Sequence, residues 1–207
     1  MSDPDRPFVL GLTGSIAMGK STVAGMFEKL CVPVFDADAE VRAMQGPGGA
    51  LLPAIEAAFP GTTGPAGVDR QKLGSLVFDD SQALAKLEAI VHPAVAAERQ
   101  AFLSANADAA LVVFDIPLLF EKGGHERVDA IAVVSAPPEM QRARALAREG
   151  MTAEKFEQIL RLQMPDAEKR ERADHLIDTG VSLAATELAV KALVDKLVAL
   201  RNRALPS

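Results

Sequence analysis

The feature that most constrains the fold is a glycine-rich segment at residues 14–22, which reads G-S-I-A-M-G-K-S-T. It fits the pattern G-x-x-x-x-G-K-S. An apolar run that favours a strand, residues 8–12, precedes it, and Val23, Phe27 and Leu30 follow at helical spacing. A strand, a glycine-rich loop and a helix in this order are typical of a phosphate-binding loop. The segment therefore predicts an α/β fold that binds a nucleotide.

Each residue type in this segment suits a triphosphate. Gly14 and Gly19 leave room for backbone N–H groups to approach phosphate oxygens, because a side chain on the inner surface would block them. Lys20 supplies a positive charge near the β- and γ-phosphates, Ser21 offers a hydroxyl to Mg²⁺, and Thr22 can reach the α-phosphate. The other residues of the loop, which we expect to face the phosphates, are Ser15, Ile16, Ala17 and Met18.

Apolar runs alternate with helical patterns along the rest of the chain, which indicates parallel strands joined by helical crossovers. These runs lack polar alternation, as expected for strands buried on both faces. After the first strand they cover residues 32–35, 110–114, 130–134 and 175–177. The pattern predicts a three-layer α/β fold around a parallel five-stranded sheet, with ligands bound beyond the carboxyl ends of the strands.

Two long segments between these strands exceed what a single crossover helix requires. Residues 39–108 are predicted to form an inserted helical region, in which the glycine- and proline-rich residues 60–67 form an exposed loop. Residues 137–173 are predicted to form a mobile lid and its return. The predicted core consists of residues 6–38, 109–136 and 174–207.

The composition limits the classes of function that fit this chain. The net charge of −6 provides no overall positive field for nonspecific binding to nucleic acid. The single cysteine, Cys31, excludes an internal disulfide, and the acidic residues 1–5 are unlike a secretory signal. The most apolar run, residues 109–120, is too short to span a bilayer. We therefore expect a cytoplasmic protein without nucleic acid or membrane partners, and a monomer by default.

Two carboxylates, Asp36 and Asp38, follow the second predicted strand, where an acceptor hydroxyl would arrive beside the phosphates. A carboxylate there can accept the proton of the hydroxyl or align it with the γ-phosphoryl group, a role worth about 10²–10⁴ in rate. Aspartate is also a favoured N-cap, so both residues could instead cap the helix that follows. The pattern leaves open which of the two is the base.

A second group of polar residues follows a later strand. Gln141, Arg144 and Arg148 have the spacing of one helix face, on a helix predicted to begin after Pro137 and Pro138. An arginine on that face could stack on an adenine or pair with phosphate oxygens through its planar fork. The alternative is a solvated basic surface.

Asp115 ends the third predicted strand, where P-loop proteins carry an acidic residue that holds Mg²⁺ through water. In the segment after it, Leu118, Leu119 and Phe120 could contact an apolar arm of a substrate. Glu121 could anchor this loop.

These motifs resemble those of the dephospho-coenzyme A kinase family over nearly the whole chain. The glycine-rich loop is common to many families, whereas the D-A-D triplet at residues 36–38 and the P-L-L-x-E segment at residues 117–121 are much narrower. The other matching features are Asp69-Arg70, His92-Pro93, the Gln141/Arg144/Arg148 spacing and the segment from Gly150 through Gln163 to Asp174.

The resemblance implies transfer of the γ-phosphoryl group of ATP to the ribose 3′-hydroxyl of dephospho-coenzyme A. It also implies Mg²⁺ and a nucleotide-kinase-like fold with a core, an acceptor-binding insertion and a lid. Asp36 would be the base, Lys20 and Ser21 would serve the phosphates and Mg²⁺, and Arg144 and Arg148 would bind ATP. The residues implied in acceptor binding are Asp36, Asp38, Arg70, His92, Leu118, Leu119 and Glu121.

Two loop residues depart from the family pattern. Ser15 stands where glycine is common and Met18 where a small residue is common. Because glycine reaches dihedral angles that serine does not, these departures predict a change in the backbone shape of the loop and leave the phosphate site in place.

Three other kinds of protein share the glycine-rich loop. One is a noncatalytic ATP-binding regulator, which the pattern leaves open but which would give Asp36 and the arginine-bearing helix face no role. A nucleoside or nucleoside-monophosphate kinase would use the same loop and acceptor carboxylate, and would differ in its acceptor. A GTP-dependent switch protein needs an N-K-x-D motif, but Asn106 and Asn202 are followed by alanine and arginine. Guanine recognition of that kind is therefore excluded.

Overall fold

Strands and helices alternate through residues 6–204, which the computed structural model describes, with side chains for residues 6–202. The expectation that residues 1–5 are no secretory signal falls outside this range. The chain divides into two compact units: Met1–Phe35 with Asn106–Ser207 form unit 1, and Asp36–Ala105 forms unit 2. In chain order the elements are β1 (Phe8–Thr13), α1 (Lys20–Lys29), β2 (Val34–Asp36), α2 (Ala37–Met44), α3 (Leu52–Ala58), β3 (Thr63–Gly64), β4 (Gly67–Val68), α4 (Arg70–Val77), α5 (Ser81–Ala105), β5 (Leu111–Asp115), a short 3-10 helix (Gly124–Arg127), β6 (Ala130–Ser135), α6 (Pro138–Leu146), α7 (Ala153–Arg161), α8 (Asp166–Glu171), β7 (His175–Asp178) and α9 (Leu183–Ala204).

The centre of unit 1 is a parallel sheet with the strand order β2-β5-β1-β6-β7. β1 pairs with β5 on one side and β6 on the other, so that Leu10 lies opposite both Val113 and Ala130. These three strands are apolar up to their last residue because both faces of the sheet are covered, and Leu12 and Val133 are fully buried. The predicted α/β fold with a parallel five-stranded sheet is confirmed.

Two apolar layers cover the sheet and complete the three-layer arrangement. On one face, α1 and α9 contribute Val23 and Leu197, which are completely buried or nearly so. On the other face lies a smaller cluster that includes Leu119 from the segment after β5. Side chains alternate along β6, so that Val134 faces the first layer and Val133 faces the second.

The helix α9 packs through one of its faces. Val190, Leu193 and Leu197 are buried, whereas Leu188 and Leu200 are exposed. The spacing of three and four residues places the buried side chains on one side of the helix. Within residues 6–204, no helix combines the length and the apolar character needed to cross a membrane.

Unit 2 consists of α2–α5 around a core of its own, in which Ile55 is fully buried. The prediction of an exposed loop at residues 60–67 is wrong in part, because β3 and β4 form an antiparallel hairpin there and Thr62 is buried. The hairpin is held by a distant residue, since the Val68 N–H donates to the Gln45 carbonyl at 2.9 Å. Such a contact leaves no signal in the local sequence pattern.

Candidate functional site

The glycine-rich loop joins β1 to α1 and takes its shape from two left-handed residues. Ala17 has a φ of 61° and Gly19 a φ of 90°, while Ser15 does not adopt a positive φ. Serine therefore fits its position without the conformational freedom of glycine. Gly14 is needed for a different reason, because a Cβ atom there would lie 2.7 Å from the Val134 carbonyl oxygen.

The first turn of α1 is arranged to receive an anion. Gly19 is the N-cap, and it provides no side-chain cap for this helix end. The N–H groups of a first helical turn and the positive end of the helix dipole both favour phosphate. Lys20 and Ser21 are the first two residues of the helix, so both lie at the positive end of the helix dipole.

Lys20 forms an ion pair with Asp115, which links the first turn of α1 to the end of β5. The Lys20 Nζ atom donates to Asp115 Oδ1, and the side chains are 16% and 5% exposed. Because Asp115 is nearly inaccessible, it acts here as a fixed support that orients the lysine. The structure thus brings together two of the residues that the sequence predicts for phosphate and Mg²⁺.

The donor set of this region fits Mg²⁺. The Ser21 hydroxyl is an oxygen ligand of the kind that this ion prefers, and Asp115, which is nearly inaccessible and paired with Lys20, would act on the ion through a bound water. Residues 6–202 contain no group of three or more histidine, cysteine, aspartate or glutamate residues arranged to hold a metal. Mg²⁺ usually binds through one or two protein ligands together with substrate phosphates, and the loop suits that mode.

Arg144 is connected to the loop by hydrogen bonds through one intervening residue, Thr179. Its fork donates to the Thr179 hydroxyl at 3.2 Å and to the Thr179 carbonyl at 2.7 Å, and the Thr179 hydroxyl donates to the Met18 carbonyl at 2.7 Å. Met18 itself is buried, with its sulfur 3.2 Å from the Ala136 N–H. The sequence gives no signal for Thr179 beyond its position directly after a strand.

The prediction that Gln141, Arg144 and Arg148 share one helix face is wrong for Arg148. α6 ends at Leu146, and Arg148 is exposed beyond that end, where its N–H donates to the Ala145 carbonyl. The chain then turns through Gly150, which has a φ of 71°. Arg148 therefore lies outside the regular spacing that the pattern assumes, and its contact with ATP stays a prediction.

The segment after β5 is fixed by both apolar and ionic contacts. Leu119 is completely buried in the second apolar layer, whereas Leu118 is half-buried. The Leu119 side chain therefore contributes to the core of unit 1, and only Leu118 presents accessible surface for an acceptor. Glu121 accepts from the Met164 N–H at 2.8 Å and lies 2.9 Å from Lys169 Nζ, so it anchors the loop.

The electrostatics of Glu121 favour its charged form. Burial raises the pKa of Glu121, but hydrogen bonds from Lys169 and from the Met164 N–H outweigh burial and hold the pKa below its ordinary value. Because the pKa is lower in the folded state, this carboxylate stabilises the fold at pH values above the pKa of the unfolded chain. The stabilisation is lost as the pH falls through the lower folded pKa.

Replacing Lys169 should destabilise the protein. Its side chain is completely buried, so Lys169→Met leaves the Glu121 charge without this cation and should lower the free energy of unfolding by about 3 kcal/mol at neutral pH. Urea denaturation monitored by circular dichroism measures this loss. Adding Glu121→Gln should restore part of it, and Lys191→Met, which removes an exposed ion pair with Asp195, should change stability by less than about 1 kcal/mol. Equal losses for Lys169→Met and Lys191→Met would contradict a stabilising role of the buried pair.

The two candidate carboxylates of unit 2 differ in their contacts. Asp36 is the last residue of β2 and the N-cap of α2, where its Oδ1 accepts from the Ala39 N–H at 2.9 Å. Its Oδ2 lies 3.6 Å from the Arg42 Nη2 atom. Asp38 is exposed in the first turn of the same helix. Asp36 thus has the capping role that the sequence left as an alternative. Its second oxygen faces Arg42, and because the side chain is 41% exposed, a substrate hydroxyl can still approach it.

The remaining acceptor-binding candidates are on the surface of unit 2. Arg70 is the exposed first residue of α4, which Asp69 caps. His92 is exposed in the middle of α5, directly before Pro93. The His92-Pro93 pair resembles a start signal, but α5 continues through the proline.

Comparisons with known proteins agree with these features. The model of the family described as "CoaE: Dephospho-CoA kinase" matches residues 8–184. A dephospho-CoA kinase from Novosphingobium aromaticivorans is 67% identical over 189 residues, which cover 91% of this chain and 94% of that protein. The family match spans the glycine-rich loop, both carboxylates of unit 2 and the arginines that follow β6.

Solved structures show the same fold. A crystal structure of a Thermus thermophilus protein is 38% identical, with a TM-score of 0.80 over 93% of this chain and 98% of that one. The dephospho-CoA kinase from Campylobacter jejuni has a TM-score of 0.63 at 22% identity, over 91% of this chain and 96% of that one. At that identity the second likeness concerns the fold alone.

Proposed function

The chain belongs to the dephospho-CoA kinase family, and from this premise we propose how its residues divide between a donor site and an acceptor site. The protein is a kinase of coenzyme A biosynthesis. It transfers the γ-phosphoryl group of ATP to the ribose 3′-hydroxyl of dephospho-coenzyme A and produces coenzyme A and ADP. The observation that carries this conclusion is the family match over residues 8–184, which includes every candidate site residue.

For the donor site, we propose that residues 14–22 hold the phosphates of ATP. Backbone N–H groups of the loop and the first turn of α1 bind the oxygens, and Lys20 neutralises charge on the β- and γ-phosphates. Ser21 and Asp115 would hold Mg²⁺, which neutralises the charge that develops on the phosphates. Arg144 and Arg148 complete the ATP contacts from the proposed lid, residues 137–173.

For the acceptor site, we propose that Asp36 takes the proton of the 3′-hydroxyl or aligns that hydroxyl with the γ-phosphoryl group. Its position at the end of a strand of the parallel sheet supports this role, because ligands of such sheets bind beyond the carboxyl ends of the strands. We assign the insertion, residues 39–108, to acceptor binding. The residues proposed for acceptor contact there and in the loop after β5 are Asp38, Arg70, His92 and Leu118, whereas Leu119 and Glu121 are proposed to support acceptor binding by holding that loop in place.

The proposed partners, location and oligomeric state follow from the composition of the chain and from the reaction. The partners are ATP and dephospho-coenzyme A, with no nucleic acid and no membrane. The acidic net charge of −6 supports the exclusion of nonspecific nucleic acid binding. We propose that the enzyme acts in the cytoplasm as a monomer.

An acceptor panel separates this function from that of a nucleoside or nucleoside-monophosphate kinase. With Mg-ATP fixed, kcat/KM should be highest for dephospho-coenzyme A among dephospho-coenzyme A, AMP, CMP, dTMP and adenosine. The pantetheine arm contributes binding energy that positions the 3′-hydroxyl, so AMP alone should be a poor acceptor. ADP formation measures turnover. Comparable kcat/KM for any nucleoside monophosphate would refute the assignment of the acceptor.

The contribution of Arg144 depends on its planar fork. Arg144→Lys keeps the charge but cannot form both hydrogen bonds to Thr179 and still reach a phosphate, so kcat/KM for ATP should fall about tenfold or more. Steady-state kinetics measure this effect. Arg142→Lys is the control, because Arg142 is an exposed arginine of the same helix. If both variants retain wild-type kcat/KM, Arg144 is only a structural partner of Thr179 and not a ligand of ATP.

A further inference from the structure

Two consecutive peptide units of the glycine-rich loop, which meet at Ile16, are each held by a glutamine side chain. The Ile16 N–H donates to Gln163 Oε1 at 2.9 Å, and Gln141 Nε2 donates to the Ile16 carbonyl at 2.8 Å. Gln141 is a buried residue of α6, and Gln163 follows α7. Side chains from α6 and from the segment after α7 therefore bind the two backbone polar groups of one loop residue.

The Ile16 N–H and carbonyl are hydrogen-bonded to side chains and not to other backbone groups of the loop. Within the loop itself, the Met18 N–H donates to the Ser15 carbonyl at 3.2 Å, whereas the two polar groups of Ile16 find their partners in side chains. An amide side chain can either donate or accept, so one residue type serves both the N–H and the carbonyl. The orientation of each amide is fixed by the Ile16 group that it faces.

The hydrogen bonds to Ile16 act on the loop whose N–H groups are proposed to bind the phosphates, so the positions of its amides matter. Backbone N–H groups that are already aimed at phosphate oxygens need no rearrangement during phosphoryl transfer. Ala17, next to Ile16, holds a left-handed φ of 61°, which a residue other than glycine adopts only when its surroundings enforce it. Fixing the peptide units on both sides of the Ile16 Cα atom constrains the residues that follow.

We propose that Gln141 and Gln163 are positioning residues of the donor site, which fix the two peptide units that meet at Ile16 so that the loop amides are pre-arranged for the phosphates of ATP. This inference rests on the proposed function only in assigning ATP to this loop. Both glutamines lie within residues 137–173, the proposed lid. Their role therefore links the position of that segment to the affinity of the loop for ATP.

Methionine substitutions test the hydrogen bonds, because methionine has the length of glutamine without its polar groups. Gln141→Met and Gln163→Met should each raise the dissociation constant of Mg-ATP and lower kcat/KM for ATP by about tenfold, the effect of leaving one such backbone group without its partner. The KM for dephospho-coenzyme A should not change. The double variant should lose less than the product of the single losses, since the two bonds hold adjacent peptide units of the same loop.

The matched control is Gln158→Met, which alters an exposed glutamine of α7 and should behave as wild type. Glutamate substitutions give a second test, because the two positions require opposite hydrogen-bonding groups. Gln163→Glu keeps an acceptor for the Ile16 N–H, whereas an ionised Gln141→Glu has no donor for the Ile16 carbonyl. Both add the same charge, so Gln141→Glu should lose more affinity for ATP than Gln163→Glu.

Titration calorimetry with Mg-ATP alone measures the affinity without any acceptor, so the outcome does not depend on phosphoryl transfer. The proposal is overturned if both methionine variants bind Mg-ATP with the wild-type dissociation constant, or if they raise the KM for dephospho-coenzyme A as much as that for ATP. It is also overturned if Gln163→Glu loses more affinity for ATP than Gln141→Glu. A wild-type enzyme that binds ATP but does not phosphorylate dephospho-coenzyme A would instead refute the proposed function. In that case the affinities of the variants for ATP would still decide whether the glutamines position the loop.

Discussion

Asp36→Asn should lower kcat by about 10²–10⁴ while leaving the affinity for ATP close to that of the wild type. Asparagine is nearly isosteric and can still accept the Ala39 N–H, so the cap of α2 should survive. It cannot take a proton from the acceptor hydroxyl. The phosphates of ATP are assigned to the loop and Lys20, so the loss should fall on the acceptor step and not on donor binding.

Asp38→Asn is the matched control for this prediction. It removes a neighbouring carboxylate that is exposed in the first turn of α2. We expect a smaller change in kcat for this variant. Near-wild-type turnover in Asp36→Asn together with a collapse in Asp38→Asn would show that the base is Asp38 and that Asp36 serves only as a helix cap.

The second large effect is expected at Lys20. Lys20→Met removes the positive charge at the start of α1, and kcat/KM for ATP should fall by about 10²–10³, the range seen when one preorganised donor to a developing charge is lost. The same change removes the ion pair with Asp115, so thermal unfolding must be measured alongside. Lys20→Arg retains a cation and should keep more of the activity and of the stability.

Lys29→Met controls for a general effect of losing a lysine from α1. Lys29 is exposed at the last position of the same helix, 3.4 Å from Glu187. Its kinetics should equal those of the wild type. If Lys20→Met retained kcat/KM for ATP in a folded protein, Lys20 would be a structural partner of Asp115 and not a ligand of the phosphates.

The sequence predicts the parts of this protein that depend on local patterns. The loop at residues 14–22 is recognisable because its glycines and Lys20 have a fixed spacing between a strand and a helix. The parallel strands are recognisable because burial on both faces removes polar residues from them, as in β5. The motifs around Asp36 and Glu121 occur in fewer families, so they identify the family.

The contacts that complete the site could not be predicted in the same way. Thr179 and Gln163 reach the loop from residues more than a hundred positions away, and only the packing of the sheet brings them there. Lys169 looks like an ordinary surface lysine on a short charged helix, but the sheet buries it against Glu121. Arg148 shows the opposite error, because a periodic spacing continues in the sequence after α6 has ended.

The most direct test of the central claim is the fate of the γ-phosphate. The wild-type enzyme is incubated with Mg-ATP labelled with ³²P at the γ position and with dephospho-coenzyme A. The labelled product is then isolated, and ³¹P NMR of an unlabelled parallel reaction assigns the new phosphate. The account predicts one labelled coenzyme A for each ADP formed, with the phosphate as a monoester on the ribose 3′-oxygen. Label found only in inorganic phosphate, or on any other position of the acceptor, would contradict it.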